Sequence, residues 1–382
     1  METAYESVAS LLRARQPGKP VYCIYPHIYR DAAEHFLANF PGRVLYAVKA
    51  NNHRLVVQAL GDAGIEHFDC ASLQEIELVK SLFPDATCYL MNPVRLEDAA
   101  RRAQDEFGTR HFMVDHRSGV APLLAEIDAG RSVVFARMAV SHHSAMADLS
   151  SKFGALPDEI PAVLQDIRDA GAEAALAFNV GTGVTEPGAY TYAMGLAREV
   201  LENTPFPVRL LDIGGGFPRP YPGFIVPPLD EFFAAIKGIR HELPLGENSE
   251  IMAEPGRGLS APGMSTIARV LLRKEDRLYL NDGMYGAFWE LRFKGHVRYP
   301  ACAWRGHEPF TGNLHSFRLF GPTCDSSDEM PGSVELPADV NVGDYIEFGS
   351  MGAYSLSGRT TFNGFYSDDV VTIDSESCSP PV

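Results

Sequence analysis

Short, β-rich apolar segments alternate with longer amphipathic segments through the first two-thirds of the chain, and this alternation limits the available folds. Eight such segments lie between residues 44 and 256: VLYAVKA, HFDCA, TCYLMNP, HFMVD, VVFARMAV, ALAFNVG, RLLDIGGG and EIMAEPG. The segments between them, such as SLQEIELVKSLF and PLDEFFAAIKGIRHEL, have helical periodicity. Eight β-α units in roughly 210–230 residues predict an α/β fold, a (β/α)8 TIM barrel. A doubly wound open sheet is the alternative, although it more often has a phosphate loop after its first strand.

The pattern changes after about residue 260. Glycine and proline become more frequent, and short alternating segments follow one another: ARVLLRK, DRLYLNDG, HSFRLFGP, GDYIEFGS, TFNGFY and DVVTID. Such segments are typical of short strands joined by tight turns. We therefore predict a barrel domain over residues 25–260. We predict that residues 1–24 join residues 261–382 in a C-terminal all-β domain.

Composition excludes some classes of partner. The formal net charge of −16 argues against nucleic acid, because phosphate binding needs a basic surface. An acidic surface is compatible with a cationic small substrate. No apolar segment approaches the ~18 residues of a membrane span, and the N-terminus does not have the pattern of a secretory signal. We expect a cytoplasmic protein. The six cysteines form no CxxC pair, so no metal site is predicted.

Unusual polar or flexible residues follow the predicted barrel strands. They are Lys49, Asp69, Arg137, Asn179, Gly214, Gly215, Gly216 and Glu254. Functional groups of TIM barrels lie at the C-terminal ends of the strands, so these residues predict one shared site. A lysine amine at the end of a buried strand costs free energy unless it has a task, and one task is a Schiff base with pyridoxal phosphate (PLP). The alternative is a lysine that extends to solvent.

Two further loops indicate an anion site. The three glycines of DIGGGFP let backbone N–H groups approach a phosphate, although such a run can be only a turn. The segment EPGRG places Glu254 and Arg257 in one turn, where they could form a local ion pair or could bind a ring nitrogen and a phosphate. In the predicted β domain, Cys324 and Tyr354 lie in turns, and a buried cysteine and a core tyrosine are the alternatives.

In this order, the segments YAVKAN, FDCAS, KFGA, VGTG, DIGGGFP, EPGR, NDGMYGAF, GPTCDSSD and GAY…TFNGF span nearly the whole chain. Together they resemble the ornithine/diaminopimelate/arginine decarboxylase family, the fold-type III PLP-dependent decarboxylases with an alanine-racemase-like barrel and a β domain. GPTCD and NDG-x-YG-x-F are closest to the ornithine decarboxylase branch. The resemblance implies a lyase that uses pyridoxal 5'-phosphate to remove the α-carboxylate of an ornithine-like, basic amino acid. It also implies a homodimer whose active sites are shared across the interface.

The resemblance also implies residue roles. Lys49 would form the Schiff base, and Glu254 would keep the pyridine nitrogen protonated. The other implied cofactor-binding residues are Asp69, Arg137, Asn179, Thr182, Gly214, Gly215, Gly216, Gly256, Arg257 and Tyr354. Cys324 would return a proton to the α-carbon, and Asp325 would bind the distal ammonium of the substrate. Arg292 and Phe362 complete the predicted substrate-binding residues. Glu75 would join the polar shell, and Lys152 would lie on a lid or interface loop.

Departures from the family pattern concern the cofactor ring and the distal end of the substrate. Asn179 stands where the family usually has a ring-stacking histidine. Where ornithine decarboxylases carry an aspartate after NDGMYGAF, this chain has Arg292 and Lys294, and Glu290 is a hypothetical substitute for the acid. Arg359 lies where the family often has small residues. The substrate could therefore be longer, less cationic or carboxylate-bearing.

Other functions remain open at this stage. One is decarboxylation of a non-standard or conjugated amino acid in polyamine, siderophore or antibiotic biosynthesis. A second is amino-acid racemisation, against which Glu254 argues, because alanine racemases of this fold place an arginine there. A third is a non-catalytic PLP-binding regulator, against which the presence of both Lys49 and Cys324 argues.

Overall fold

The computed structural model describes residues 3–292 and 297–375. The chain begins with four elements that precede the barrel: β1 (Ala4–Tyr5), α1 (Val8–Arg15), β2 (Val21–Ile24) and α2 (Pro26–Asn39). The side chain of Ser7 accepts a hydrogen bond from the N–H of Ser10 (3.2 Å), so α1 begins at a serine cap.

A closed parallel barrel follows. The next strands are β3 (Arg43–Ala47), β4 (His67–Cys70), β5 (Thr87–Leu90), β6 (His111–Val114), β7 (Val133–Met138), β8 (Ala145–Ala147), β9 (Glu173–Phe178), β10 (Thr182–Val184), β11 (Leu210–Asp212) and β12 (Glu250–Ala253). Strands β8 and β10 form a separate antiparallel pair, and the other eight close in the order β11-β12-β3-β4-β5-β6-β7-β9. Closure places Ala253 opposite Val44. The predicted TIM barrel is confirmed.

Helices connect the barrel strands: α3 (Arg54–Asp62), α4 (Leu73–Leu82), α5 (Ala99–Phe107), α6 (Val120–Glu126), α7 (Ile160–Asp169), α8 (Gly188–Glu202) and α9 (Leu229–Arg240). The two helices predicted from SLQEIELVKSLF and PLDEFFAAIKGIRHEL are α4 and α9. Asp230 and Glu231 lie in the first turn of α9, and Lys237 and Arg240 lie in its last turn, where each charge favours the helix dipole.

The barrel strands are buried on both faces, which explains their nearly continuous apolar sequences. Leu45, Met113 and Phe135 belong to a cluster of side chains that fills the barrel interior. Val44 and Tyr46, the neighbours of Leu45 on β3, belong instead to the larger core that includes the surrounding helices. Alternate residues of one strand therefore serve two different cores.

The C-terminal part forms the second sheet. Its elements are α10 (Arg257–Ser260), β13 (Met264–Lys274), β14 (Arg277–Leu280), β15 (Ala301–Arg305), β16 (Glu308–Pro309), β17 (Leu314–Phe320), β18 (Val334–Pro337), β19 (Tyr345–Phe348), α11 (Ser355–Gly358) and β20 (Val370–Ile373). The path β1-β20-β2-β13-β14-β17-β18 runs through this sheet, with β15, β16 and β19 off the path. Ala4 lies opposite Thr372, so the N-terminal residues pair with this sheet as expected. The domain boundaries at 25 and 260 stay a prediction.

The predicted strand TFNGFY is wrong. Its central residues form a short 3-10 helix, Phe362–Gly364, in which Asn363 has φ of 53° and Gly364 has φ of 74°. These left-handed angles produce a turn, whereas the flanking aromatic residues suggested a strand. The sequence patterns also missed β15, β16 and β18. In the described part of the chain, no helix is long and apolar enough to span a membrane.

Polar side chains fill the amino-terminal end of the barrel. Arg43 Nη1 donates to the Tyr89 hydroxyl (2.8 Å), and the same hydroxyl lies 3.3 Å from His67 Nδ1. The ring of His111 stacks on Tyr89, with 4.0 Å between ring centroids. Burial, followed by the charge of Arg43, lowers the pKa of His67 to about 4 and that of His111 to about 3.

We expect this cluster to make the protein sensitive to mild acid. An unfolded histidine titrates near pH ~6.5, so between that value and about pH 4 the unfolded chain binds more protons than the folded protein. Stability should therefore fall as the pH decreases through this range. The double variant His67→Asn/His111→Asn should show a smaller loss of melting temperature between pH 7 and pH 5. The exposed His315→Asn variant is the control, and an unchanged pH dependence in the double variant would contradict the prediction.

Candidate active site

A cavity of about 320 Å³ opens at the carboxyl end of the barrel strands. The predicted residues that line it are Lys49, Asp69, Arg137, Asn179, Thr182, Gly215, Gly216, Glu254, Gly256, Arg257 and Tyr354. Thus residues from the carboxyl ends of six barrel strands and from the β domain meet at one place. Sequence reasoning did not identify Met91, Asn92 and Phe153, which also line the cavity. Apolar or amide side chains in loops give no local signal of this kind.

Lys49 lies in a 3-10 turn (Val48–Ala50) directly after β3. Its Nζ donates to Asp69 Oδ2 (2.8 Å). Asp69 lies near the end of β4 and is almost fully buried. About half of the lysine side chain (47%) faces the open cavity. Burial lowers the pKa of Lys49, but the negative charges of Asp69 and Glu254 more than offset it and raise that pKa above its ordinary value. The amine is thus held at the cavity by an ion pair.

Glu254 follows β12 and is buried. Its Oε1 is enclosed and has no hydrogen-bond partner among the residues that the structure describes. Burial, then the nearby carboxylates of Asp212 and Asp69, raise the pKa of Glu254 well above its usual range. A buried, unpaired carboxyl oxygen costs free energy unless a donor reaches it. A protonated pyridine nitrogen in the cavity would be such a donor, so this residue fits the ring of PLP.

The glycine loop after β11 is shaped by backbone constraints. Gly214 has φ of 68° and Gly216 has φ of 106°, values that side-chain-bearing residues rarely adopt. Gly214 does not line the cavity itself. A Cβ on Gly215 would lie 2.8 Å from the carbonyl oxygen of Glu254, so this position also excludes a side chain. Tyr190 donates its hydroxyl to the Gly215 carbonyl (2.8 Å) and holds the loop. The loop presents bare backbone to the cavity, which fits a phosphate group.

Arg257 begins α10 and lines the same cavity. It does not pair with Glu254. Its Nη1 donates to the Tyr221 hydroxyl (2.9 Å), and both Nη atoms donate to the carboxylate of Glu290. The hypothesis that Glu290 replaces the distal acid is therefore wrong, because the carboxylate is buried against Arg257. Tyr354 lies beside this arginine, 5.3 Å from ring centroid to guanidinium carbon.

The β domain is joined to the Lys49 turn by backbone contacts. The N–H of Tyr354 donates to the Ala50 carbonyl (2.6 Å), and Asn51 Nδ2 donates to the Gly352 carbonyl (2.9 Å). A Cβ on Gly352 would meet the Ser260 carbonyl oxygen at 1.7 Å, so these two backbone segments approach as closely as glycine allows. These contacts bring Tyr354 to the cavity.

The polar residues around the cavity rim have separate roles. Asn179 lines the cavity, and its Oδ1 accepts from the Gly181 N–H (2.9 Å). The Arg137 guanidinium lies 5.4 Å, and Lys152 Nζ 4.7 Å, from the ring centroid of Phe153. Lys152 lines the cavity as well, and its role in a lid or interface loop stays a prediction. Glu75 accepts from the Ala71 N–H (2.7 Å) behind the site, and burial raises its pKa to about 7.

The predicted substrate residues form a second group outside the Lys49 cavity. Tyr285 donates its hydroxyl to Asp325 Oδ2, and its ring stacks on Phe362 with 4.4 Å between centroids. The Arg292 guanidinium also lies over the Tyr285 ring, 4.2 Å from its centroid. Cys324, next to Asp325, is exposed, and its Sγ lies 3.4 Å from Asn363 Oδ1. We call Tyr285, Arg292, Cys324, Asp325 and Phe362 the Tyr285 cluster.

Two buried aspartates hold the loops that carry this cluster. Asp328 accepts from the Met284 N–H (2.7 Å) and from the Thr323 hydroxyl (2.7 Å), so it joins the NDGMYG loop to the GPTCD loop. Asp282 accepts from the N–H groups of Gly283 (2.9 Å) and Ala287 (3.1 Å). Asp282 and Asp328 are therefore structural residues.

The other departures from the family pattern have different outcomes. Arg359 donates to the Ser367 carbonyl (2.7 Å) and pairs with Asp368 (2.7 Å), which explains it as a structural residue of the β domain. Lys294 lies outside the described residues.

The fold and the site define a PLP-binding TIM-barrel enzyme. The sequence model described as "Pyridoxal-dependent decarboxylase, pyridoxal binding domain" matches residues 27–261. Antizyme inhibitor 2 of Xenopus laevis is 32% identical over 85% of this chain and 74% of its own, and ornithine decarboxylase of Rattus norvegicus is 29% identical over 87% and 75%. The crystal structure of the Paramecium bursaria Chlorella virus arginine decarboxylase bound to agmatine has a TM-score of 0.85 at 26% identity, covering 96% of this chain and 99% of that one. This chain belongs to the fold-type III family of PLP-dependent decarboxylases.

Proposed function

We propose that this enzyme removes the α-carboxylate of a basic, ornithine-like amino acid and releases CO2 and an amine. The observation that carries the proposal is the half-buried carboxylate of Asp325, adjacent to the exposed thiol of Cys324 in the Tyr285 cluster. An acid at this place suits a distal ammonium group. The relatives named ornithine decarboxylase and arginine decarboxylase, whose substrates are basic, support the same class.

The main residues of the Lys49 cavity and of the Tyr285 cluster have separate roles in this proposal. When bound, PLP supplies an electron sink for the pair of electrons that remains when CO2 departs. Lys49 would attach the cofactor, and Asp69 orients its amine. Glu254 would accept a hydrogen bond from the ring nitrogen and keep its proton there. The backbone of Gly215 and the Nε of Arg257 would bind the phosphate. Cys324 would deliver a proton to the α-carbon after CO2 leaves.

We further propose a homodimer in which the Tyr285 cluster of one protomer completes the Lys49 cavity of its partner. Cys324 and Asp325 line a different cavity from Lys49 within one chain. Exposed apolar side chains surround them: Leu271 and Phe365 line the Cys324 cavity, and Phe362 belongs to the cluster. In this proposal, the Cys324 that delivers a proton at the Lys49 cavity belongs to the second copy.

We expect two inactive variants to restore each other. Cys324→Ala should slow turnover by about 10²–10⁴-fold, as expected for loss of a general acid, while cofactor is retained. Lys49→Ala should be inactive. Random mixing of the two should restore roughly a quarter of wild-type sites, because half of the dimers are mixed and each contains one intact site. The measurement is CO2 release after subunit exchange. No recovery, with exchange verified by mass, would contradict a shared site.

Arg292 favours a second candidate, a substrate with a carboxylate at its distal end. The Tyr285 hydroxyl and the Ser327 N–H, with the charge of Arg292, hold the pKa of Asp325 below its usual range. A guanidinium beside this acid partly neutralises a site for an ammonium group and offers a partner to a carboxylate. Such a substrate would be a non-standard or conjugated amino acid.

The test is CO2 release by the PLP-loaded protein from ornithine, lysine, arginine and diaminopimelate, with products identified by mass. We expect release from ornithine or lysine, and we expect Arg292→Ala to increase kcat/KM for these cations by removing a like charge. The exposed Arg277→Ala is the control. Release from diaminopimelate that Arg292→Ala abolishes would instead support the carboxylate-bearing class.

Two other functions would give distinct results in the same assay. A racemase would exchange the α-proton without CO2. A regulator, as suggested by the similarity to antizyme inhibitor 2, would bind PLP and release CO2 from none of the substrates. The Lys49–Asp69 pair and the exposed Cys324 thiol support catalysis. Cytoplasmic location stays a prediction.

A further inference from the structure

The phosphate end of the cavity contains an acid that the PLP site does not require. Glu290 lies in a 3-10 helix (Trp289–Arg292) of the β domain, and only 5% of its side chain is exposed. Its two oxygens accept hydrogen bonds from the two Nη atoms of Arg257, with 3.0 Å between Nη1 and Oε2. Arg257 is equally buried, at 4%. A buried, bidentate ion pair therefore lies at the wall of the Lys49 cavity, which the glycine loop also lines.

This pair limits how Arg257 can bind an anion. Both Nη atoms are engaged by Glu290, and Nη1 also donates to the Tyr221 hydroxyl. The Nε is buried and lacks a hydrogen-bond partner within residues 3–292 and 297–375. The guanidinium is also held between two aromatic side chains, 5.3 Å from Tyr354 and 5.9 Å from Tyr221. Three N–H groups of this arginine are thus engaged by Glu290 and Tyr221, and the Nε–H and the second N–H of Nη2 are left for a phosphate oxygen.

Glu290 cannot easily leave this position. Leu291 next to it is buried, and a Cβ on Gly358 would lie 2.5 Å from the Trp289 indole, so the 3-10 helix packs tightly on α11. The carboxylate is therefore presented to Arg257 by rigid structure and not by a flexible surface chain.

The pair also removes the positive charge that a phosphate would meet. Arg257 and Glu290 together are neutral, and the cavity's Lys49 is already paired with Asp69. A phosphate at the glycine loop would carry nearly two negative charges and would lie close to the buried carboxylate. In the protein without cofactor, by contrast, Glu290 compensates a guanidinium whose burial alone would be costly.

We propose that Glu290 is a built-in counter-ion: it positions Arg257, stabilises the cofactor-free protein and weakens phosphate binding, so that PLP is exchangeable. Glu290 and the phosphate compete for the same guanidinium. This inference concerns the cofactor and does not depend on which amino acid is the substrate.

The test is Glu290→Gln, which keeps the shape and one hydrogen-bond acceptor but removes the charge. Dissociation constants for PLP and for pyridoxal, which lacks the phosphate, are measured by fluorescence, and inorganic phosphate is titrated by thermal shift. We expect PLP and inorganic phosphate to bind at least about tenfold more tightly, because a buried like charge within a few ångströms is removed. The affinity for pyridoxal should change less than about twofold. The exposed Glu335→Gln has the same change of charge and should alter neither constant.

Two results would overturn the proposal. The first is a folded Glu290→Gln protein whose ratio of PLP to pyridoxal affinity equals that of the wild type or falls below it. The second concerns folding: if the variant does not fold alone, the proposal requires that PLP or inorganic phosphate restore folding, because the phosphate takes the place of the missing counter-ion. A variant that stays unfolded in both solutions would show that Glu290 is only a structural residue.

Discussion

Lys49→Ala should abolish decarboxylation, with a loss of at least about 10⁴-fold, the scale expected for removal of a covalent nucleophile. The amine is held at the cavity by its 2.8 Å contact with Asp69, and alanine leaves nothing there that can bond to an aldehyde. Borohydride reduction of the PLP-loaded protein followed by peptide mass spectrometry should find the cofactor on Lys49 in the wild type and on no lysine in the variant.

The matched control is Lys152→Ala. Lys152 lines the same cavity, but its amine lies over the ring of Phe153 and has no ion pair with a carboxylate of the described residues. This variant should keep the covalent cofactor, with an effect confined to turnover if the loop acts as a lid. Cofactor recovered on Lys152 in the Lys49→Ala protein would contradict the assignment.

Because Asp69 and Glu254 raise the pKa of Lys49, attachment of PLP should also become faster as the pH rises and the neutral amine becomes more abundant.

Glu254→Gln should lower kcat by about 10²–10³-fold while PLP stays bound. The carboxylate is the group that can hold a proton on the ring nitrogen, and glutamine cannot compensate that charge. Lys49, the glycine loop and Arg257 remain to bind the cofactor. The melting temperature should not fall, since burial, followed by the carboxylates of Asp212 and Asp69, disfavours a charged Glu254 and raises its pKa, and a neutral amide avoids that cost.

Glu250→Gln tests whether this effect belongs to the site. Glu250 begins the same strand, β12, but pairs with Arg43 at the opposite end of the barrel. It should keep kcat within about twofold, although it removes a partly exposed ion pair worth roughly 0–1 kcal/mol. Equal losses of kcat in the two variants, or release of PLP from Glu254→Gln, would show that Glu254 supports the fold and not the reaction.

The sequence does not predict the contacts of Asp212 and Glu290. Asp212 is fully buried beside Glu254, and its Oδ1 accepts from the Gly214 N–H (2.8 Å), but the sequence pattern offered no reason to separate it from the glycine loop. Because Glu290 follows the NDGMYGAF motif, the sequence offers it as a hypothetical substitute for the distal acid. In the structure it is buried and pairs with Arg257, 33 residues earlier in the chain.

The sequence by itself determined the barrel and the residues at its strand ends. Each barrel strand is buried on both faces, so a few consecutive apolar residues are enough to identify it. The parallel order of the strands then brings Lys49, Asp69 and Glu254 to one rim of the barrel. Only the tertiary structure decided which charges meet. The contacts of Tyr354 with the Lys49 turn, of Glu290 with Arg257 and of Asp325 with Tyr285 join segments whose separation depends on the path of the whole chain. A charged side chain accepts any partner of opposite sign that packing brings within reach, so local sequence does not specify that partner.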